Sequence, residues 1–350
     1  MKKRIFAISI VLILAIVLTA CGGSSSQSST PSGGESGGGD QVVELVLGGV
    51  TSDSAKEAVT FFAEKVAEYS NGTIKIIDFP DNQLGNDETR FEMTQTGECD
   101  ISIGSTSSVA ATYNDFYIYD VPFMFLNKNE VYDIGFNGEA GKQILNGLEE
   151  LGLKGLAFWE NGFRNLTTTN KEIKGIEDLN GLKIRTMEND IHLAAWKAMG
   201  ANPTPMAFSE LFTALQQGTV DGQENPIGII VGNGFEEVQK YLVMTEHVYT
   251  PYYVVMNLDK YNSLTQEQKD ALEKAMAEAT LYQYERSQYY EDISIEDIEA
   301  AGCKVIKLTD EEKMPYKNAV EKIDPVAMAK KKMARPELAD KLVKELEAAR

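Results

Sequence analysis

One arginine of this sequence lies where a strand-like segment gives way to a helix, a position suited to holding an anion. In "GLKIRTM", Leu182 and Ile184 alternate with Lys183 and Arg185, which is the period-two pattern of a strand with one apolar face. The following "ENDIHLAAWKAMG" predicts a helix closed by Gly200. Ligands of open α/β sheets bind at the carboxyl ends of the strands, and a planar guanidinium pairs with a carboxylate through two parallel hydrogen bonds. Spacing alone leaves two interpretations of Arg185 open, a solvated surface charge and a carboxylate-binding group.

The sequence contains no signature of catalysis or of metal binding. Its two histidines are His192, on a predicted helix, and His247, beside Glu246 before a strand. No GxSxG, HExxH or phosphate-binding GxxxxGK[ST] pattern occurs. The GxG of "GNGFEE" lies on no predicted strand, and no CxxC or Cys/His cluster suggests a metal site. We therefore expect a protein that is not an enzyme and that uses no cofactor.

The N-terminal segment predicts where the protein resides. Residues 1–20 combine three positive charges, the apolar run "AISIVLILAIVLTA" and small residues, the order of a secretory signal. Cys21 follows Leu-Thr-Ala, as in the bacterial lipobox, whose cysteine is lipidated; a plain signal peptide with a chance cysteine is the alternative. The rest of the segment 21–40 is almost entirely Gly, Ser and polar residues and predicts a flexible tether. We expect an extracytoplasmic protein in the periplasm or at the outer face of the cell membrane, anchored to the lipid bilayer through acylated Cys21.

The charge of the chain excludes nucleic acid as a partner. The formal net charge is −20, and signal cleavage would make it more negative. Phosphate neutralisation needs clustered Lys and Arg, and an anionic ligand must here be held by local groups rather than by the overall field. Apart from Cys21, the cysteines are Cys99 and Cys303, both in apolar, strand-like surroundings. We expect buried free thiols, with a disulfide between them as the alternative.

Strand-like and helix-like segments alternate along the mature chain. "VVELVLGG", "TIKIIDF" and "DISIGS" predict strands with helices between them, a βαβαβ order typical of a parallel sheet covered by helices. A second alternation runs from "GLKIRTM" through "ANPTPM" to the helix "FSELFTALQQG", and "DGQENP" (221–226) predicts a turn. "YTPYYVVMN" predicts a strand that returns to the first sheet. The capping box of Thr265 and Gln268 starts about 35 residues with few breakers, which predicts one long helix across two lobes.

Several long segments resemble the solute-binding proteins of tripartite ATP-independent periplasmic (TRAP) transporters. They are "FWENGFRNLTT", "DLNGLKIRTMEN", "GANPTPMAFSELFTALQQGTVDGQENP" and "QKYLVMTEH", in this order, within a likeness that covers nearly all of the mature chain. The resemblance implies an α/β periplasmic-binding-protein-like fold with two lobes, a hinge and a long helix across both. Lobe I is then 41–161 plus 251–290, and lobe II is 162–250 plus 291–350. It also implies that a small carboxylate-bearing solute, a sugar acid or a dicarboxylate, is bound between the lobes and delivered to a large and a small membrane subunit.

The resemblance assigns roles to four residues near the expected carboxylate. Arg185 becomes the anchor, and Arg164 in "NGFRNLTT" the second cation, with a hinge salt bridge as the alternative for Arg164. Asn225 in "DGQENP" carries an amide that both donates and accepts, which suits a carboxylate oxygen and a neighbouring hydroxyl. Phe208 becomes an apolar wall of the pocket, although its place on a helical face also suits core packing.

Four further residues are candidates for contacts with the rest of the solute. Glu188 stands where sialic-acid binders of the family carry an amide; it either accepts from ligand hydroxyls or sits in the first turn of the next helix, where acids are favoured. Ser105 stands at a position that is frequently acidic in the family, Trp159 is a candidate pocket floor, and Asp53 is a further first-lobe candidate. Sugar acids, dicarboxylates, sialic acids and keto acids all satisfy the same arginine. The alternative functions are a sensor that presents a carboxylate to a receptor and, less favoured, a secreted α/β enzyme.

Overall fold

The computed structural model describes residues 42–350. The predicted signal peptide, Cys21 and the Gly/Ser tether lie outside the described residues. Within the described part, no helix has both the length and the apolar character that a membrane crossing requires.

The described part of the chain contains ten strands and twelve α-helices. The strands are β1 (Val43–Gly48), β2 (Ile74–Phe79), β3 (Ile101–Ser105), β4 (Leu153–Thr168), β5 (Lys183–Thr186), β6 (Asn202–Pro205), β7 (Gly222–Pro226), β8 (Tyr241–Met244), β9 (Tyr249–Asn257) and β10 (Lys304–Lys307). The α-helices are α1 (Asp53–Tyr69), α2 (Asp87–Thr96), α3 (Thr106–Val109), α4 (Glu139–Gly147), α5 (Asp190–Ala198), α6 (Phe208–Gln216), α7 (Ile227–Gly232), α8 (Leu258–Ser263), α9 (Gln266–Ala300), α10 (Asp310–Glu321), α11 (Pro325–Lys332) and α12 (Glu337–Ala349). Short 3-10 helices lie at Asn114–Asp120, Leu148–Leu151, Ile176–Leu179 and Phe235–Glu237, and a π-helical turn lies at Glu130–Phe136.

The first half of the sheet, β1 to β3, confirms the predicted βαβαβ order. β1 pairs in parallel with both β2 and β3, and Ala58, Phe62 and Val66 of α1 are fully buried against it. After β2 the chain turns at the carboxyl end of the sheet and enters α2, where the side chain of Asn86 caps the helix by accepting from Thr89 N. The parallel pairing therefore places the ends of β1 and β3 and the start of α2 on one edge.

Two long strands run from the first half of the sheet into the second. β4 is a continuous strand of 16 residues that pairs antiparallel with β9 as far as Phe163 and with β7 from Arg164 onwards. β9 also pairs antiparallel with β3, which confirms the predicted return of this strand to the first sheet. The register of β4 on β9 shifts between Glu160 and Gly162, and Gly162 has a φ of 124°, a conformation that favours glycine. A bulge bends its strand, so β4 bends next to the boundary between the two halves.

The second half of the sheet is built around β5 and β7. β5 pairs in parallel with β6 and β7, while β7 and β8 pair antiparallel with β4. The predicted turn at 221–226 is wrong, because Gly222–Pro226 forms the buried strand β7. Polar side chains on β7 are satisfied by neighbouring side chains: Gln223 Nε2 donates to Thr167 Oγ1 at 2.8 Å. Because the buried residues of β7 are largely polar, the strand lacks the apolar pattern by which a buried strand is recognised in a sequence.

The predicted long helix is α9, which has 35 residues and starts with the predicted capping box. It packs against α1, α7 and β4. The side chain of Gln283 forms hydrogen bonds with both the N–H and the carbonyl oxygen of Glu160, each at 2.8 Å, and these bonds connect α9 to β4. α12, which was assigned above to lobe II, packs against α4 and the π-helical turn, which were assigned to lobe I. The lobe boundaries stay a prediction. Cys99 and Cys303 are buried free thiols, the first of the two alternatives given for them.

Candidate ligand-binding site

A cavity of ≈ 110 Å³ opens at the carboxyl ends of strands from both halves of the sheet. Ser105 at the end of β3 contributes from the first half. Arg185 near the end of β5 and Met206 directly after β6 contribute from the second half. Parallel strands of both halves thus end at one cavity, which is where open α/β sheets bind ligands.

Arg185 presents a buried cation with one unused donor to this cavity. Its side chain is held by the carbonyl oxygen of Met206, which accepts from Nε at 3.0 Å and from Nη2 at 2.7 Å. Nη1 is buried and has no hydrogen-bond partner within residues 42–350. Burial, together with the positive charge of Arg164, lowers the pKa of Arg185 to about 10, so the group is still charged at neutral pH. An unpaired buried donor destabilises a protein, and a carboxylate oxygen of a ligand would supply the missing acceptor.

Arg164 lines the same cavity, but its side chain is already hydrogen-bonded to Glu224 and Asn225. Nε donates to Glu224 Oε2 at 2.6 Å, and Nη2 donates to Glu224 Oε1 at 2.9 Å and to Asn225 Oδ1 at 3.0 Å. Both members of the ion pair are buried, with 1% of Arg164 and none of Glu224 exposed. The salt bridge given above as the alternative for Arg164 is therefore present, between the crossing strand β4 and β7.

The carboxyl group of Glu224 is kept ionised by its neighbours. Burial acts to raise its pKa, but Arg164 and His247 outweigh burial and hold the pKa of this carboxyl well below its usual range. His247 Nε2 lies 3.1 Å from Glu224 Oε2, and burial lowers the pKa of His247. Glu224 matches the charge of Arg164, whereas Arg185 forms no ion pair among residues 42–350.

The other predicted residues fall into two groups. Asn225, Phe208, Ser105 and Glu188 line the cavity with the two arginines. The Phe208 ring centroid lies 5.9 Å from Arg185 Cζ, and Ser105 Oγ is buried with no hydrogen-bond partner in the described part of the chain. Asn225 already has protein partners on both polar atoms, since Oδ1 accepts from Arg164 and Nδ2 donates to Gln223 Oε1.

Trp159 and Asp53 form the second group, which lies away from this cavity. Trp159 is fully buried, and its Nε1 donates to Thr280 Oγ1 of α9 at 2.9 Å, so its ring packs in the core. Asp53 begins α1, forms an ion pair with Lys56 at 2.7 Å and lines a separate cavity beside α9. Neither side chain lines the space around Arg185, and we do not include them in the proposed site.

Several polar residues that line the cavity were not singled out from the sequence, among them Asn161, Asn86 and Glu88. Asn161 of β4 donates through Nδ2 to Thr250 Oγ1 at 3.2 Å and leaves Oδ1 buried without a partner among the described residues. Asn86 and Glu88 lie at the start of α2. For Asn86 and Glu88 the available signal was their position at the start of the helix that follows β2. Among residues 42–350, no group of three or more His, Cys, Asp or Glu could hold a metal ion.

Comparison with known proteins decides the family. Residues 49–331 match the family model of the bacterial extracellular solute-binding proteins, family 7. The chain belongs to this family. Its resemblance to TRAP solute-binding proteins is thereby confirmed, and members of the family are transport proteins rather than enzymes.

Three proteins similar to this family-7 chain have described ligands. The 2,3-diketo-L-gulonate-binding periplasmic protein YiaO of Escherichia coli is 35% identical over 269 residues, 77% of this chain and 81% of that protein. The sugar acid binding protein DctPAm from Advenella mimigardefordensis, solved in complex with galactonate, is 34% identical, with a TM-score of 0.83 over 89% of this chain and 99% of that one. A TRAP periplasmic solute-binding protein from Sulfurospirillum deleyianum with bound succinate is 30% identical, with a TM-score of 0.80 over 88% and 99%. The predicted fold class, a two-lobed α/β periplasmic binding protein, is confirmed by these structures.

Proposed function

We propose that this family-7 protein binds a small carboxylate-bearing solute outside the cytoplasm and delivers it to a TRAP-type permease of one large and one small membrane subunit. The observation that carries the proposal is the buried Nη1 of Arg185, which has no hydrogen-bond partner in the described part of the chain and lies at a cavity between the two halves of the sheet. A carboxylate would pair with this cation and complete its hydrogen bonding at once. The ligands named for the three similar proteins are all carboxylates.

Around the anchor, each remaining residue has a distinct proposed part. Arg164, the second cation of the cavity, is fixed by Glu224 and orients Asn225 through the 3.0 Å bond to Oδ1. Phe208, whose ring centroid lies 5.9 Å from Arg185 Cζ, would cover one face of a bound carboxylate and keep water from it. Ser105 Oγ, which is buried, supplies a hydroxyl that can donate to or accept from the solute.

The N-terminal sequence supports the proposed anchoring to the membrane. Acylation of Cys21, on a tether of small and polar residues, would hold the protein near the permease while leaving it free to capture solute. Each buried CH₂ of an acyl chain contributes about 0.8 kcal/mol to membrane binding. We propose that the solute is released unaltered, because residues 42–350 place no nucleophile–base pair at the cavity. Mass spectrometry that detected a product after incubation with a bound acid would contradict this.

The proposal is tested by a thermal-shift screen of organic acids with uncharged counterparts of each. Galactonate and succinate would be compared with galactitol and succinamide, because each pair shares its carbon skeleton and differs in the carboxylate. At a ligand concentration one hundred times Kd, binding stabilises the native state by about 2.7 kcal/mol, so a true ligand raises Tm by several degrees. We expect a rise with at least one acid and none with its neutral counterpart. Equal rises with neutral compounds, or a rise that persists in Arg185→Ala, would contradict carboxylate binding at this site.

A further inference from the structure

The charges around the cavity are distributed unevenly. Two ion pairs are internal to the protein, Arg164 with Glu224 and Arg90 with Asp87, the latter at 2.5 Å. Glu88 and Glu188 also line the cavity and belong to neither pair. Once the internal pairs are set aside, Arg185 faces two carboxylates in the same cavity.

Glu88 and Glu188 come from opposite halves of the sheet and act on each other. Glu88 is in the first turn of α2, after β2, and Glu188 follows β5. Burial raises the pKa of Glu88, and the negative charges of Asp87 and Glu188 raise it further. Both glutamates also act electrostatically on Arg185. The two acids therefore share one cavity with Arg185.

We propose that Glu88 and Glu188 make this site selective for polyhydroxylated monocarboxylates and reject acids that carry a second carboxylate. The inference rests on the proposed function, because it takes the first carboxylate to be bound by Arg185. A hydroxyl group donates a hydrogen bond to a carboxylate acceptor, so the hydroxyls of a sugar acid can bridge the two glutamates. A second carboxylate on the ligand has no proton to donate to the two glutamates and is repelled by their negative charges. Placing like charges side by side is a common way of excluding a wrong ligand.

The test uses pairs of acids that differ only in the oxidation of the terminal carbon. Galactonate and galactarate form the six-carbon pair, and erythronate and meso-tartrate form the four-carbon pair; succinate is the dicarboxylate without hydroxyls. Calorimetry at pH 8 would measure each acid with the wild-type protein, Glu88→Gln, Glu188→Gln and the double variant. Glu92→Gln is the matched control, because Glu92 is an exposed residue of α2 that does not line the cavity.

We expect the wild-type protein to bind at least one monocarboxylate about 100-fold more tightly than its dicarboxylate partner, which corresponds to about 2.7 kcal/mol of like-charge repulsion. Each cavity variant should narrow this ratio about tenfold, mainly by strengthening dicarboxylate binding, and Glu92→Gln should leave it unchanged. Lowering the pH should narrow the wild-type ratio in the same direction, because protonation of Glu88, whose pKa is raised by burial, removes one of the two negative charges.

Two results would overturn the inference, and they separate it from the proposed function. Binding of succinate or of either sugar dicarboxylate as tight as that of the monocarboxylates would overturn the selectivity while supporting carboxylate binding. A ratio that stays the same in the double variant would overturn the role of the two glutamates. If none of the five acids bound or raised Tm, the selectivity and the proposed function would fall together.

Discussion

Replacing Arg185 tests the difference between a ligand anchor and a surface charge. In the structure its Nε and Nη2 are held by one carbonyl oxygen and its Nη1 is buried without a partner among the described residues, so the fork is fixed and one donor is left for a ligand. Arg185→Ala leaves a desolvated ligand carboxylate without its cation, and losing one side of a buried charge pair costs about 3–5 kcal/mol. This corresponds to a loss of roughly two to four powers of ten in affinity.

Arg185→Lys refines the test because it keeps the charge and removes the fork. A lysine ammonium cannot bond the Met206 carbonyl through two nitrogens and present a third to the ligand. One charge-assisted hydrogen bond contributes about 1.5–3 kcal/mol, so we expect a loss of about ten- to a hundredfold, between wild type and alanine. Lys183→Ala is the control, because Lys183 is an exposed cation on the same strand, and exposed charges contribute about 0–1 kcal/mol.

Isothermal titration calorimetry with the acid that shows the largest thermal shift, at two salt concentrations, measures these differences. The Arg185 effects should persist at the higher salt concentration, because buried pairs are screened much less than exposed ones. A lysine variant with wild-type affinity, or equal losses for Lys183→Ala and Arg185→Ala, would refute the reasoning.

Three further predictions concern stability and motion. Glu224→Gln leaves Arg164 buried without its charge partner and should lower the free energy of unfolding, measured by urea denaturation, by about 3–5 kcal/mol. Adding Arg164→Met to the Glu224→Gln variant should recover part of this loss, and additive losses from the two substitutions would contradict the pairing. Burial raises the pKa of Glu160 to about 7 against the charge of Lys128. A folded-state pKa above the unfolded value stabilises the protein at low pH. This contribution to the free energy of unfolding, up to about 3 kcal/mol, should therefore be lost as pH rises from 4.5 through 7. A Glu160→Gln variant whose free energy of unfolding depends on pH as that of the wild type does would contradict it. Closure around a solute contacted from both halves should reduce the radius of gyration measured by small-angle scattering, and no change at saturating ligand would contradict closure.

Most of the fold was predictable because its elements carry local signals. The apolar face of α1 and the capping box of α9 appear directly in the sequence, and both are present in the structure. β7 was missed because its interior is polar: Gln223, Glu224 and Asn225 are buried only because partners distant in sequence satisfy them. No local pattern reports such a network.

The candidate site was predictable in part, for a similar reason. Arg185 lies near a strand end, which a period-two pattern locates, and the structure brings it to the cavity with Phe208 and Asn225. Trp159 was misplaced because a strand has two faces, and pairing rather than sequence decides that its ring points to α9. Glu88 was missed because its proximity to Glu188 depends on how the two halves of the sheet meet.

The central claim is that Arg185 binds the carboxylate of the solute, and a crystal structure with the tightest-binding acid tests it most directly. We expect a carboxylate oxygen within hydrogen-bond distance of Arg185 Nη1, about 2.7–2.9 Å, with the Met206 carbonyl still bonded to Nε and Nη2 and the Arg164–Glu224 pair intact. A carboxylate bound elsewhere, with Nη1 of Arg185 still without an acceptor, would contradict it.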